Sequence, residues 1–294
     1  MDERKALDAN AFALMLVLTA LWGFQQVAIK LTAPDISLVM QAALRTFLAA
    51  ALLIAWARWR GIALFSRDGT LAAGIGAGLL FGGEFVFIYA GLEHTAASRM
   101  VVFIYLAPIV TALGVHWWVP GEHLVRAQWF GVALAFGGVA LAFGDGFVAA
   151  RGATLLGDVF GLVAAVLWGA TTVLIRATRL GRASAAKTLF YQLGVAAPLL
   201  LAASLAMGER GVVQLTPLAA ASLLYQGAIV AFASYLVWFW LLTRYLAGRL
   251  AVFSFMTPLF GVIAGVAVLG EPLTPTFAAA ALLVGGGIAL VNRR

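Results

Sequence analysis

The chain has 294 residues, of which 64% are apolar and only 11% charged, with a net charge of +7 and no cysteine. A soluble domain carries about 25% charged residues, so this composition excludes an ordinary solvated globule. The missing cysteine excludes a disulfide framework, a thiol nucleophile and a thiolate metal site. The basic residues are scattered between apolar runs, which argues against a nucleic-acid surface.

A helix needs about 20 mostly apolar residues to cross the hydrocarbon core. Ten stretches fit, near residues 11–31, 37–57, 70–90, 98–119, 127–143, 155–176, 185–206, 218–242, 249–269 and 275–291. The first follows the charged MDERKALDAN and contains Gln25, Gln26 and Lys30 without a small-residue cleavage site. It is expected as a first transmembrane helix, not a removable signal. The breaks carry turn chemistry, as at Ala33-Pro34-Asp35, Arg67-Asp68-Gly69, Pro120-Gly121 and Met207-Gly208. Thr274-Pro275 reads as a cap followed by a first-turn proline. With the N-terminus inside, 14 of the 19 Lys and Arg residues fall on cytoplasmic segments and 4 (Lys30, Arg99, Arg151 and Arg210) on outer ones, with Arg45 inside the second span. That asymmetry predicts both termini in the cytoplasm.

The second half of the chain repeats the first. Leu21-Trp22-Gly23 returns as Leu167-Trp168-Gly169 at an offset of 146 residues. Leu92, Arg99 and Pro108 return as Leu242, Arg249 and Pro258 at an offset of 150. Gly121-Glu122 and Gly137-Gly138 return as Gly270-Glu271 and Gly286-Gly287 at an offset of 149. Anchors kept in order at a nearly constant offset indicate duplication. The units are residues 1–143 and 155–294, joined by a short linker at 144–154. Five spans per unit is an odd number, so the second unit enters the membrane upside down relative to the first. The expected fold is an all-α integral membrane protein with ten transmembrane helices, arranged as two inverted-topology five-helix repeats around a central cavity. In such folds the substrate site lies near the midplane between the repeats, and alternating exposure of that site moves the substrate.

Candidate functional residues follow from depth. Glu84 is the one carboxylate deep within a span. A charge there costs at least about 2.5 kcal/mol, so it should face a bundle interior or a wet cavity, as a partner for a substrate amine or a proton. Its repeat counterpart is Ser234, so the halves differ here. Arg45 lies one to two turns into the second span; snorkelling or helix pairing explains it better than binding a substrate carboxylate. Trp22 and Trp168 sit near mid-membrane at equivalent points, each followed by a glycine that admits a helix or a ligand. Tyr89, Tyr105 and Tyr235 offer a ring and a hydroxyl at cavity depth, suited to stacking and cation–π contact. The other tryptophans, Trp238 among them, fall near predicted ends and read as an interface belt. Gln25 is favoured over Gln26 as a cavity amide, because a buried amide needs a partner. Pro108 and Pro258, mid-span at the same point of each repeat, are paired bends and candidate hinges. Gly74, Gly78 and Gly82 form a close-packing face.

Trp22-Gly23 and Trp168-Gly169, Tyr105-Leu106-Ala107-Pro108 and Phe255-Met256-Thr257-Pro258, and Gly121-Glu122 and Gly270-Glu271 ahead of Gly-rich spans resemble the drug/metabolite transporter superfamily, specifically its ten-span EamA-type members. The resemblance covers essentially the whole chain. It implies export of amino acids, other metabolites or drugs, and is closest to the aromatic amino acid exporter branch. The expected function is a secondary transporter for small amphipathic metabolites, aromatic amino acids foremost. A broad-specificity drug or lipophilic cation exporter is the alternative. An organophosphate or nucleotide-sugar exchanger is disfavoured, since it needs several cations in the cavity and only Arg45 is clearly basic within a span. A membrane enzyme would need paired acids, a Ser/His pair or metal ligands at depth, so no enzyme activity, cofactor or metal is expected. No P-loop is present to supply direct ATP drive. The expected setting is a bacterial-type cytoplasmic membrane, with a small-molecule substrate and the lipid bilayer as partners, no nucleic acid, and a monomeric state.

Overall fold

The computed structural model describes residues 8–118, 124–148, 152–245, 253 and 256–291. The repeat anchors Gly121-Glu122 and Arg249 lie outside them. In chain order the helices are α1 (Ala9–Leu31), α2 (Leu38–Trp59), α3 (Leu71–His94), α4 (Ala97–Ile104), α5 (Ala107–Trp118), α6 (Arg126–Val148), α7 (Gly152–Ala177), α8 (Ala185–Ala206), α9 (Pro217–Leu224), α10 (Tyr235–Arg244), α11 (Met256–Leu269) and α12 (Pro275–Val291). A π-helical stretch, Tyr225–Ser234, joins α9 to α10. Helix is present at each predicted stretch. Among the described residues, seven helical stretches are long and apolar enough to cross a bilayer, and three shorter apolar helices accompany them. Extended structure among the described residues is confined to isolated bridge positions: Ile36 pairs with Val212, and Tyr245 is a further bridge residue.

The helix starts are written locally. Asp8 caps α1 by accepting from the Ala11 amide at 2.8 Å. Ser184 caps α8 through the Lys187 amide at 3.2 Å. Thr216 caps α9, with Pro217 in the first turn where its missing N–H is not needed. The fourth predicted span is broken in two. α4 ends at Ile104, Tyr105 and Leu106 form a turn, and Pro108 is the second residue of α5. Pro258 is likewise the third residue of α11. The expectation of a mid-helix kink is therefore modified at Pro108: it occupies a first helical turn, where the ring fits, and the bend is a break just ahead of it at Tyr105-Leu106.

The two halves of the chain interdigitate. The main helix pairs are α6 with α12, α3 with α7 and α8, α2 with α8, α1 with α11, and α5 with α7. Each joins one half to the other. The repeated Trp-Gly pairs make two of these contacts possible. A Cβ on Gly23 would stand 2.7 Å from the Thr257 carbonyl oxygen of α11, and one on Gly169 would stand 2.5 Å from Val110 Cγ1 of α5. Gly74, Gly78 and Gly82 meet Tyr191, Val195 and Leu199 on α8, so that stripe is a packing face.

One end of the bundle is knitted together. Glu271 accepts from the amides of Ala97 (2.6 Å) and Ser98 (2.9 Å) at the start of α4. Glu209 accepts from Val39 and Met40 at the start of α2, both at 2.9 Å. Each carboxylate belongs to the second half and caps a helix of the first, where the partial positive charge of the helix end favours it. The loops add backbone bonds from Ser37 to Gly211 and from Val213 to Asp35. Arg99 pairs with a fully buried Asp158 at 2.5 Å, and Thr95 donates to the same carboxylate. Asp158 is thus part of a buried ion pair.

At the other end, Lys187 donates to the Ser66 carbonyl (2.6 Å), the Ser66 hydroxyl (2.9 Å) and Asp68 (2.7 Å). The Lys187 ammonium and the Thr70 hydroxyl beside Asp68 hold its carboxyl well below the usual carboxylate range.

Candidate functional site

A cavity of about 600 Å³ runs through the middle of the bundle. α1 contributes Trp22, Gln25 and Gln26. α3 contributes Phe81, Glu84, Phe85 and Ile88, which recur at helical spacing on one face. The α4–α5 break contributes Ile104, Tyr105, Ala107 and Pro108. α7 contributes Trp168, Thr171 and Thr172, and α10 contributes Tyr235 and Trp238. The lining continues along Leu180 and Gly181 to Ala185 at the start of α8, beside the Lys187 end. It includes no residue of the loops at the knitted end.

The aromatic walls are fixed by their neighbours. Trp22 Nε1 donates to Ser234 Oγ at 2.8 Å, and its ring meets Trp238 edge-on at 5.8 Å. Tyr105 meets Trp168 edge-on at 5.3 Å. Such T-shaped pairs are preferred aromatic geometry and hold the rings still. The wall also carries the hydroxyls of Thr111, Thr171, Thr172 and Thr188 and the amides of Gln25, Gln26 and Gln192, and two of its polar atoms lack a partner. Glu84 Oε2 and Gln26 Oε1 are buried without a hydrogen bond. Both are acceptors. An unmet buried acceptor costs about 1–3 kcal/mol, more when charged, so a ligand that brings donors within reach of these groups is favoured. Among the described residues the lining holds one acid and no lysine or arginine.

The structure brings Trp22, Gln25, Glu84, Tyr105, Trp168, Tyr235 and Pro108 to this one cavity. It sets Tyr89 and Pro258 apart. Tyr89 is fully buried one layer back, and its hydroxyl donates to Gln226 Oε1 at 2.6 Å. Gln226 in turn donates to Gln41 and Ser222. The π-helical stretch puts Gln226 in this chain, so Tyr89 is held as a buried strut and not as lining. Arg45 does not snorkel. It is 2% exposed, with its guanidinium 4.0 Å from the Phe85 ring centre. Trp238, expected in the interface belt, lines the cavity. Its spacing of three from Tyr235 was the available signal, as was the spacing of Phe81, Phe85 and Ile88 about Glu84. Trp59, Trp117 and Trp118 are exposed and take no part in the cavity.

The sequence model of the EamA-like transporter family matches residues 10–144 and again 155–293. The chain belongs to this family. It is therefore a multi-pass membrane protein of the drug/metabolite transporter superfamily. Among proteins similar to this EamA-family chain, an uncharacterized transporter of Archaeoglobus fulgidus is 30% identical over 88% of this chain and 89% of its own length. A probable amino-acid metabolite efflux pump of Salmonella typhimurium is 26% identical over 94% of this chain and 92% of its own. A solved crystal structure superposes with a TM-score of 0.67 at 21% identity, covering 96% of this chain and 97% of the other, a likeness of fold.

Proposed function

We propose that this chain is a secondary transporter that exports small amphipathic metabolites, aromatic amino acids foremost, by alternating access at a midplane site between two inverted five-span repeats. One observation carries the reading: two unpaired buried acceptors, Glu84 Oε2 and Gln26 Oε1, on a cavity walled by Trp22, Trp168, Tyr105 and Tyr235. A protonated amine brings the donors, and an aromatic ring suits the wall. The amino-acid class is supported by the name of the Salmonella relative.

The cavity reaches the end that carries Arg58, Arg60, Arg67, Arg176, Arg179 and Arg182, which is the cytoplasmic end by the positive-inside rule. The structure then corresponds to the loading state of an exporter in a bacterial-type cytoplasmic membrane, with both termini inside. A cavity lined by one chain lets a monomer work. The break ahead of Pro108, together with Pro258 at the matching point of the second repeat, supplies the bends about which the cavity reshapes. The second reading, export of lipophilic cations, draws on the same acid and the absence of lysine and arginine from the lining. That absence disfavours phosphorylated substrates.

The test is efflux of radiolabelled phenylalanine from proteoliposomes, with and without an imposed pH gradient. Saturable efflux inhibited by tryptophan and tyrosine is expected. We assign Glu84 the coupling proton, so Glu84→Gln should lose any response to the gradient between about pH 6 and 8. A wild-type response retained in Glu84→Gln rejects the proton role. No efflux above empty liposomes rejects the aromatic amino acid assignment in favour of lipophilic cations.

A further inference from the structure

Five charged side chains are buried among the described residues: Arg45, Glu84, Arg99, Asp158 and Lys187. Arg99 is matched by Asp158, and Lys187 by Asp68. Arg45 and Glu84 are the two left over, and they have opposite signs. Arg45 Nε is buried without a partner, as is Glu84 Oε2. Among the described residues the two form no ion pair, although Arg45 packs on the residue that follows Glu84. The Arg45 guanidinium instead rests on the Phe85 ring at 4.0 Å, with Tyr89 at 5.6 Å. Phe85 follows Glu84 in sequence and lines the cavity. The guanidinium therefore lies one ring's thickness behind the wall, held by a cation–π contact that stands in for an anion.

An amine alone would match Glu84 and leave Arg45 unmatched. A carboxylate alone would do the reverse. A phosphate would need a second cation, and the lining has none among the described residues. An α-amino acid carries both counter-charges on one carbon, and a guanidinium presents paired N–H groups that fit a carboxylate. We propose that Arg45 and Glu84 together read a zwitterion. The ammonium group lies on Glu84, the carboxylate lies on Arg45 after the Phe85 ring turns aside, and the neutral side chain lies against Trp22 and Trp168. Arg45 thus sets specificity for amino acids over amines. The inference rests on the transport reading above and narrows its substrate class.

The test competes phenylalanine efflux by the wild-type protein with phenethylamine, which lacks the carboxylate, and with hydrocinnamate, which lacks the amine. Each is expected to bind about tenfold more weakly than phenylalanine, the size of one charge-assisted contact. Phenethylamine competing as well as phenylalanine overturns the proposal while leaving the transport reading in place. If none of the three compounds shows saturable transport, both fall. Arg45→Gln should bring the phenylalanine-to-phenethylamine preference close to one, with partial recovery in Arg45→Lys. Glu84→Gln should weaken both ligands and keep their ratio. An Arg45→Gln protein that keeps the full preference overturns the proposal. The wild-type competition decides the matter even if that variant does not reach the membrane.

Discussion

The Trp22 indole has two partners at one position. Its N–H is held by Ser234 of the second half, and its ring forms the cavity wall against Trp238. These roles separate by mutation. Trp22→Phe keeps a ring and loses one hydrogen bond, worth about 1 kcal/mol, so apparent affinity should fall about fivefold or less. Trp22→Ala removes the wall and should cost at least about tenfold, with the protein still in the membrane fraction, and Trp168→Ala should behave alike. Unchanged transport kinetics in both alanine variants would make these residues packing alone. Depth was enough to single out Trp22, Trp168 and Glu84, because a polar or amphipathic group at mid-span has few places to go. Depth failed for Tyr89, which is deep but turned toward Gln226, and for Trp238, which lies near a span end but turns inward. Which way a side chain faces depends on the neighbouring helix, and one helix's sequence does not contain it.

Among the helices, Gly23 sets how closely α1 and α11 approach. An added methyl would meet the Thr257 carbonyl oxygen at 2.7 Å and the Gly261 nitrogen at 2.8 Å, both backbone atoms that cannot swing away. Gly23→Ala should therefore destabilise the protein by about 1–3 kcal/mol, read as a lower melting temperature in detergent. Gly137→Ala is the control. Nothing lies within 4 Å of its added Cβ, so alanine's better helix propensity should leave the melting temperature unchanged or slightly raised. Equal melting shifts at the two positions would show that α1 and α11 part easily. The helix boundaries themselves were legible, because apolar length and caps such as Thr274, which accepts from the Phe277 amide at 3.0 Å, are local. The break at Tyr105-Leu106 was seen only as a bend, since Pro108 marks its place but not its form.

For the whole molecule, interdigitation has a mechanical consequence. Helices of opposite halves pack on one another throughout, so rocking of two intact halves would disrupt most of the core, and opening of the knitted end must be confined to the contacts that close it. Glu271 on α4 and Glu209 on α2 are such contacts. Losing a cap costs about 1 kcal/mol, which changes a conformational ratio about fivefold. The chain has no cysteine, so a cysteine placed at cavity residue Ala107 labels alone. Adding Glu271→Gln should raise its labelling by an impermeant thiol reagent, applied from the knitted side, about fivefold. Labelling equal to that of the parent would show that the cap does not restrain opening.

The sequence by itself determined the membrane character, the helical class and the positions of the helical stretches. These depend on apolar length, on caps and on the missing polar surface, all of which are local. It also marked the duplication, because ordered anchors at a constant offset need no coordinates. Only the tertiary structure decided that the halves interleave, that Trp238 and Gln26 join the cavity while Tyr89 leaves it, and that Arg99 finds Asp158 while Arg45 and Glu84 remain unpaired. Those outcomes depend on which faces meet across helices far apart in the chain. A buried charge shows in the sequence as a charge in an apolar run, but its partner exists only where the packing puts one.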